Sequence, residues 1–359
     1  MAKKAFIGVD GKARKVKKGY IGVDNKARKV KKAYIGVGGV ARPCFTGGEL
    51  AYYGTATELS YARYSLAATT VGNYALFGGG KGSTFYSKVD AYNTSLIRTA
   101  PTALTFASQN LAATTVGNYA LFGGGFGNNS YHYKVDAYDT SLTRTTPATL
   151  LVARTNLAAT TVGNYALFGG GSGSESTLKS TVEAYNASLT RTTPTALSSA
   201  RSGLAATIVG NYALFGGGHN DDDSLSTVDA YDASLTRTIP TALSLARTNL
   251  AATTVGNYAL FGGGGTKVDA YDASLTRTTP TALSSSRSDC DATALGDYAL
   301  FSGYSTVDAY DTSLTRTTPI TLSYSRGYMA ATAVGNYALF GGGGYGSPYC
   351  SVVDVCVVS

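Results

Sequence analysis

Hydrophobic and polar positions along residues 50–359 follow strand spacing, and one pattern of them returns seven times. The phrase V-G-N-Y-A-L-F-G-G-G recurs almost verbatim, with its Tyr at Tyr74, Tyr119, Tyr165, Tyr212, Tyr258, Tyr298 and Tyr337. The intervals are 45, 46, 47, 46, 40 and 39 residues, the period of a four-stranded propeller blade. A helical solenoid of that period needs apolar residues at helical spacing and few glycines, and neither is present.

The unit at residues 250–287 shows how the pattern maps onto strands. L-A-A-T-T-V is a first strand of small side chains, suited to the crowded axis of a propeller. Residues 258–261 form a second strand that is apolar on both faces, because both faces of a blade pack against neighbours. The glycines at 262–265 fall where the chain needs positive φ or a close backbone approach. A third strand at residues 268–271 ends at Asp272, an Asx-turn residue. Residues 276–283 read as a fourth strand, and its Arg277 and Pro280 protect an exposed outer edge.

The seventh unit stops after a third-strand phrase, S-V-V-D-V-C-V-V-S, with Cys356 at the Tyr position. At the other end, residues 50–63 read like a fourth strand without its first three. The fragments complement each other, so the strand near residues 52–59 is expected to complete blade seven. The expected fold is all-β: a seven-bladed β-propeller closed by an N-terminal strand, at residues 44–359. It follows a small β-hairpin repeat segment at residues 1–43.

A double glycine after an apolar strand, then Tyr-Asp on the next strand, resembles the Kelch repeat; Gly216-Gly217 with Tyr231-Asp232 and Gly262-Gly263 with Tyr271-Asp272 carry it. The resemblance covers about residues 50–359 and implies a propeller like the central domain of galactose oxidase. The Trp usual on the fourth strand of that family is missing in every unit, and blade six reads Ser302-Gly303 for its glycine pair.

Near-identical repeats allow an internal comparison. The loop between first and second strands is almost constant, as is the loop between third and fourth. Variation gathers in the second-to-third loops and in the links between blades. The loops carry Phe85 and Tyr86 in blade one, Tyr131, His132 and Tyr133 in blade two, and His219 with Asp221, Asp222 and Asp223 in blade four. The links include Tyr64, Asn249 and Tyr328. Antiparallel strands place both varied sets on one face, and their Tyr, Asn, Ser and Asp content suits recognition. Beside the links stand Arg63, Arg154, Arg201, Arg247, Arg287 and Arg326, with Ser108 in the seventh place. Arginine captures carboxylate or phosphate in bidentate fashion, or it bonds loop carbonyls between blades; both readings are open here. In Kelch proteins an inter-blade arginine often lines the ligand site, so the resemblance implies an anionic or sugar-like ligand. The expected ligand-binding set is this arginine ring with Tyr64, Tyr86, Tyr131, His132, Tyr133, His219, Asn249 and Tyr328.

Charge divides the chain. Residues 1–43 hold 13 Lys and Arg against 2 acids, leaving 17 basic and 20 acidic groups in the rest. The basic segment repeats every 14 residues, with Phe6, Tyr20 and Tyr34 each opening F/Y-I-G-V. Asp10-Gly11 and Asp24-Asn25 are tight-turn signals, so short β-hairpins are expected, too small to be stable without partners or further copies. The segment resembles N-terminal repeats of tail-associated proteins of phages and prophages of Gram-positive bacteria, which implies attachment or oligomerisation. Basic charge also permits nucleic-acid binding, but the regular aromatic-glycine pattern argues for assembly.

Catalytic chemistry is hard to assemble from these residues. There are only two histidines, no G-x-S-x-G, no phosphate-binding Gly-rich loop and no Cys-x-x-Cys. A copper centre like that of galactose oxidase needs two His and two Tyr ligands, and no such set can be assigned. No catalytic residue, metal site or cofactor is expected. The four cysteines match no zinc spacing, and no secretory signal or membrane span is recognisable. The resulting expectation is a non-enzymatic phage or prophage tail appendage, carried in the virion and made in the bacterial cytoplasm. It would recognise a host-surface glycan or protein, with other tail proteins as partners of residues 1–43. The alternatives are an intracellular Kelch protein–protein adaptor with a basic N-terminal segment and, third, a glycan-active enzyme.

Overall fold

Each repeat folds into a small antiparallel sheet because its strands are short, joined by tight turns and apolar on both sides. The computed structural model describes residues 50–317, 320–344 and 348–358 in full, and within residues 1–49 only the backbone of six strands. Those six pair as three antiparallel hairpins: Phe6–Val9 with Lys12–Lys15, Gly19–Val23 with Lys26–Val30, and Ala33–Val37 with Val40–Phe45. The last strand runs across the boundary expected at residue 43. The turn residues Asp10-Gly11 and Asp24-Asn25 lie outside the described residues.

Seven sheets follow, arranged as the blades of a β-propeller. In blade one Ala67–Val71, Tyr74–Gly78, Val89–Asn93 and Arg98–Thr99 pair in chain order, and blades two to five repeat this meander. Blade six differs: its second and third strands form one continuous run, Tyr298–Asp311, against which Ile320–Arg326 pairs with a register shift. In the seventh sheet Ala330–Val334, Tyr337–Gly341 and Val353–Val358 are followed in space by Leu50–Thr55. There Cys356 stands opposite Tyr52, and Val358 opposite Leu50.

The fourth strand is far shorter than the span 276–283 read from sequence: in blade five it is only Arg277–Thr278. Pro280 has no N–H for the ladder, so the chain leaves the sheet and returns toward the next blade. What holds this outer segment is the third-strand tyrosine. Tyr271 Oη donates to Thr241 O at 2.8 Å, and Tyr92, Tyr138, Tyr185, Tyr231 and Tyr310 repeat the bond at 2.7–2.8 Å. Each of these rings meets the second-strand phenylalanine of its own blade edge to face, at 5.8–6.0 Å between centroids.

The core lies between blades. A typical cluster joins Leu76, Val89 and Ala91 of blade one to Ala120, Phe122 and Tyr138 of blade two. The glycine that ends each second strand exists for this contact. A Cβ on Gly216 would stand 2.8 Å from the ring of Phe261 in the next blade, and one on Gly341 would stand 2.8 Å from Phe77, across the junction of blades seven and one. Ser302 is the exception, in blade six. Around the axis, first-strand threonines hydroxyl-bond from blade to blade, as in Thr70 to Ala333 O at 2.7 Å and Thr161 to Thr115 O at 2.7 Å.

Candidate ligand-binding face

Both varied loop sets emerge together. The links bridge to the second-to-third loops at Tyr64 with Lys81, Gln109 with Phe126, Thr155 with Ser172, Ser202 with His219, and Arg287 with Gly265. The opposite face carries the constant turns. There Asx oxygens, such as Asp272 Oδ1, accept the N–H groups of residues two and four further on.

The links also build a collar. Ser65, Asn110, Asn156, Gly203, Asn249, Asp289 and Tyr328 all take left-handed φ, between 52° and 63°. Six of them donate their N–H to the carbonyl of the preceding link, as Ser65 does to Tyr328 O at 2.9 Å and Asn110 to Ser65 O at 2.9 Å. Among the described residues this ring is open only between Asn249 and Asp289. It surrounds an axial mouth of about 570 Å³. Gly203 sits where a side chain would strike Thr248 and Asn249, beside His219, whose ring lies 3.1 Å from both Ser202 Oγ and Thr248 Oγ1.

Two carboxylates line the mouth, Asp289 in the collar and Asp291 on the first strand of blade six. Asp291 occupies the first-strand position that is alanine in the other six blades, and it accepts N–H groups from Ala292 at 2.8 Å and Ala331 at 2.6 Å. Enclosure by protein outweighs those two bonds and pushes its carboxyl up to about 7. The thiol of neighbouring Cys290 is pushed up to about 12, chiefly by burial, so it is not an activated nucleophile.

The arginine ring does not reach this mouth. Arg63, Arg154, Arg201 and Arg287 are 0% exposed, and Arg247 and Arg326 are 2% exposed. Each faces a buried third-strand carboxylate: Arg63 pairs with Asp90 at 2.8 Å, Arg201 with Asp229 at 2.7 Å, and Arg326 with Asp354 at 2.6 Å. Arg154 pairs with Glu183, Arg247 with Asp269 and Arg287 with Asp308. Each guanidinium also donates to the second-strand phenylalanine carbonyl, as in Arg201 to Phe215 O at 3.1 Å. Their expected ligand-binding role is corrected accordingly: desolvation and a fixed partner make these six arginines brackets between link and blade. Where Ser108 replaces the arginine, the vacated space is partly filled by His132, which stacks on Phe106 at 4.6 Å. His132 is therefore buried too, at 8% exposure, and burial holds its imidazole below the usual basicity.

The remaining expected residues divide between mouth and loops. Tyr64, His219, Asn249 and Tyr328 line the mouth. Tyr86, Tyr131 and Tyr133 stand on the loops of blades one and two. The structure adds residues absent from the expected set: Tyr61 stacks on Tyr86 at 4.9 Å, Tyr349 stacks on Tyr64 at 5.2 Å, and Phe126 meets both Phe85 and Tyr131. Comparison of the position two residues before each ring arginine, or Ser108, could have found some of them. It reads Tyr61, Phe106, Val152, Ser199, Leu245, Ser285 and Tyr324, varied and largely apolar.

Among the described residues no three His, Cys, Asp or Glu side chains gather to hold a metal, and no helix is long and apolar enough to cross a membrane. The acidic run of blade four is an exposed turn, with Asn220 Oδ1 accepting the N–H groups of Asp222 and Asp223. Comparison with protein families and with curated proteins finds no match for this chain. The fold itself, a seven-bladed propeller with one uniform and one varied face, is compatible with binding and interaction.

Proposed function

We propose that this protein is a non-enzymatic binding module, the tail appendage of a phage or prophage, that recognises a host-surface glycan or protein through the varied face of its propeller. One observation carries the reading: the differences between seven near-copies concentrate in two loop sets, and both sets meet around one mouth. A rigid ring of uniform blades lets those loops change without disturbing the scaffold. The basic hairpin repeats serve as the attachment or self-association element, on their resemblance to tail-protein repeats. The test uses the full chain on intact cells of candidate hosts, beside a variant whose loops at 81–88 and 126–134 are replaced by the short blade-five loop. Saturable binding that the replacement removes is the expected outcome. Binding to no envelope, or equal binding by both proteins, sinks the proposal.

A further inference from the structure

The varied face is chemically divided. From the link before blade seven, through blade one, to the loop of blade two, aromatic rings follow one another from the axial mouth to the rim. Tyr328 meets Tyr64, and Tyr64 stacks on Tyr349. Tyr61 stacks on Tyr86, and Gly82 fits between the rings of Tyr86 and Tyr349. Phe85 contacts Phe126 at 6.0 Å. Two of these rings face water, with Tyr61 46% and Tyr328 37% exposed, and Tyr133 on the blade-two loop is 45% exposed. The loops of blades three to five contain no Phe or Tyr at all.

Charge follows the same division. Loops 81–88 and 126–134 hold Lys81, Lys88 and Lys134 and no acid. None of these lysines takes part in an ion pair among the described residues, whose ion pairs are all arginine to carboxylate. Lys81 lies over the Phe85 ring at 5.0 Å and Lys134 over Tyr133 at 5.9 Å, so the ammonium groups are held beside the aromatic surface. Across the mouth stand Asp221, Asp222 and Asp223 on blade four, and Asp289 in the link to blade six.

We infer that the sector formed by blades seven, one and two binds an anionic polysaccharide, with pyranose rings laid on the tyrosine and phenylalanine faces and their acidic substituents beside the three lysines. The inference rests on the binding role proposed above and names its ligand class. The C–H faces of a pyranose are weakly positive and apolar, which suits the negative face of an aromatic ring. Tyrosine adds a hydroxyl for sugar oxygens at small entropic cost. The occupant favoured over single-stranded nucleic acid is the sugar polymer, because only the loops of blades one and two combine lysine with aromatic rings and no acid, whereas Lys179 of blade three shares its loop with Glu175 and Lys267 of blade five has no aromatic neighbour in its loop. A strand with one charge per nucleotide would continue into the acidic sector opposite.

The experiment measures binding of the full chain to oligogalacturonate, to a phosphodiester-linked hexose polymer, to neutral dextran and to oligo-dT. One or both anionic carbohydrate probes should bind at least tenfold more tightly than dextran and oligo-dT, and their difference identifies carboxylate or phosphate as the acidic group. Lys81→Ala with Lys88→Ala and Lys134→Ala should erase that preference and its salt dependence. Tyr61→Ala with Tyr86→Ala should weaken binding at least tenfold. Asp221→Ser with Asp222→Ser and Asp223→Ser should leave it unchanged or strengthen it. Failure of both anionic probes, preference for oligo-dT, or indifference to the lysine and tyrosine changes overturns the inference. If host cells are still bound, and only the blade-four variant loses them, the binding role stands and this sector is wrong. If no variant binds cells, both fail.

Discussion

The two faces of the propeller are made by the same repeats and differ in what holds them. On the uniform face every turn repeats a backbone solution, with glycine at left-handed φ in the first turn and an Asx oxygen in the second. On the varied face the repeats keep only the collar and the buried arginine brackets, while everything above them changes. Uniformity therefore marks where backbone and buried charge must be satisfied, and variety marks where the chain meets water. Invariance within the arginine ring is a sign of structural need, not of a ligand.

The largest test of this contrast is removal of residues 44–60. The strand Leu50–Thr55 lies against the chain's final strand, and its loss exposes an edge in the seventh sheet. The expected fall in melting temperature is about 10 °C or more, and an unchanged transition in calorimetry refutes a closing role. Next, Arg201→Ala takes the buried guanidinium from Asp229, which keeps only Ser198 and the longer Arg237 contact at 3.7 Å, at an expected cost of about 3 kcal/mol in denaturant unfolding. A loss below about 1 kcal/mol would return that arginine to the candidate ligand set. Gly216→Ala forces a methyl against Phe261 and should cost about 1–3 kcal/mol. An unaffected variant would mean that the blades are not seated on one another as described.

A smaller effect is expected from pH. The Asp291 carboxyl titrates near 7 in the folded protein against 3.8 when unperturbed, so its folded pKa is raised. Stability is then fully present below 3.8 and is lost as pH rises through about 7. Melting temperature should fall over that window in the wild type relative to Asp291→Asn, and parallel curves would show a well-solvated carboxylate. The smallest effect belongs to the loops. Lys88→Ala should change stability by less than about 0.5 kcal/mol, because Lys88 is exposed and makes no ion pair among the described residues. A larger loss would show that the varied face also supports the scaffold.

Much of the fold was legible in the residues because each blade repeats the same local instructions. Small first strands, an apolar second strand ending in glycine and a Tyr-Asp third strand leave few other arrangements. The extent of the fourth strand was misread, since strand spacing continues through Thr278 but Pro280 ends the ladder. The candidate site was only half legible. Tyr64, Tyr86 and Tyr328 could be found by comparing loops, whereas Tyr349 becomes part of the same surface only when blade seven meets blade one.

Sequence by itself determined the period, the number of blades and which loops share a face, because these follow from strand alternation and antiparallel order. Only the tertiary structure decided what the arginines do. A guanidinium beside a loop reads the same whether it faces a ligand or a buried aspartate, and the partners lie 21–29 residues apart in the chain. Their pairing, like the division of the varied face into an aromatic basic sector and a polar acidic one, depends on which blades the ring makes neighbours.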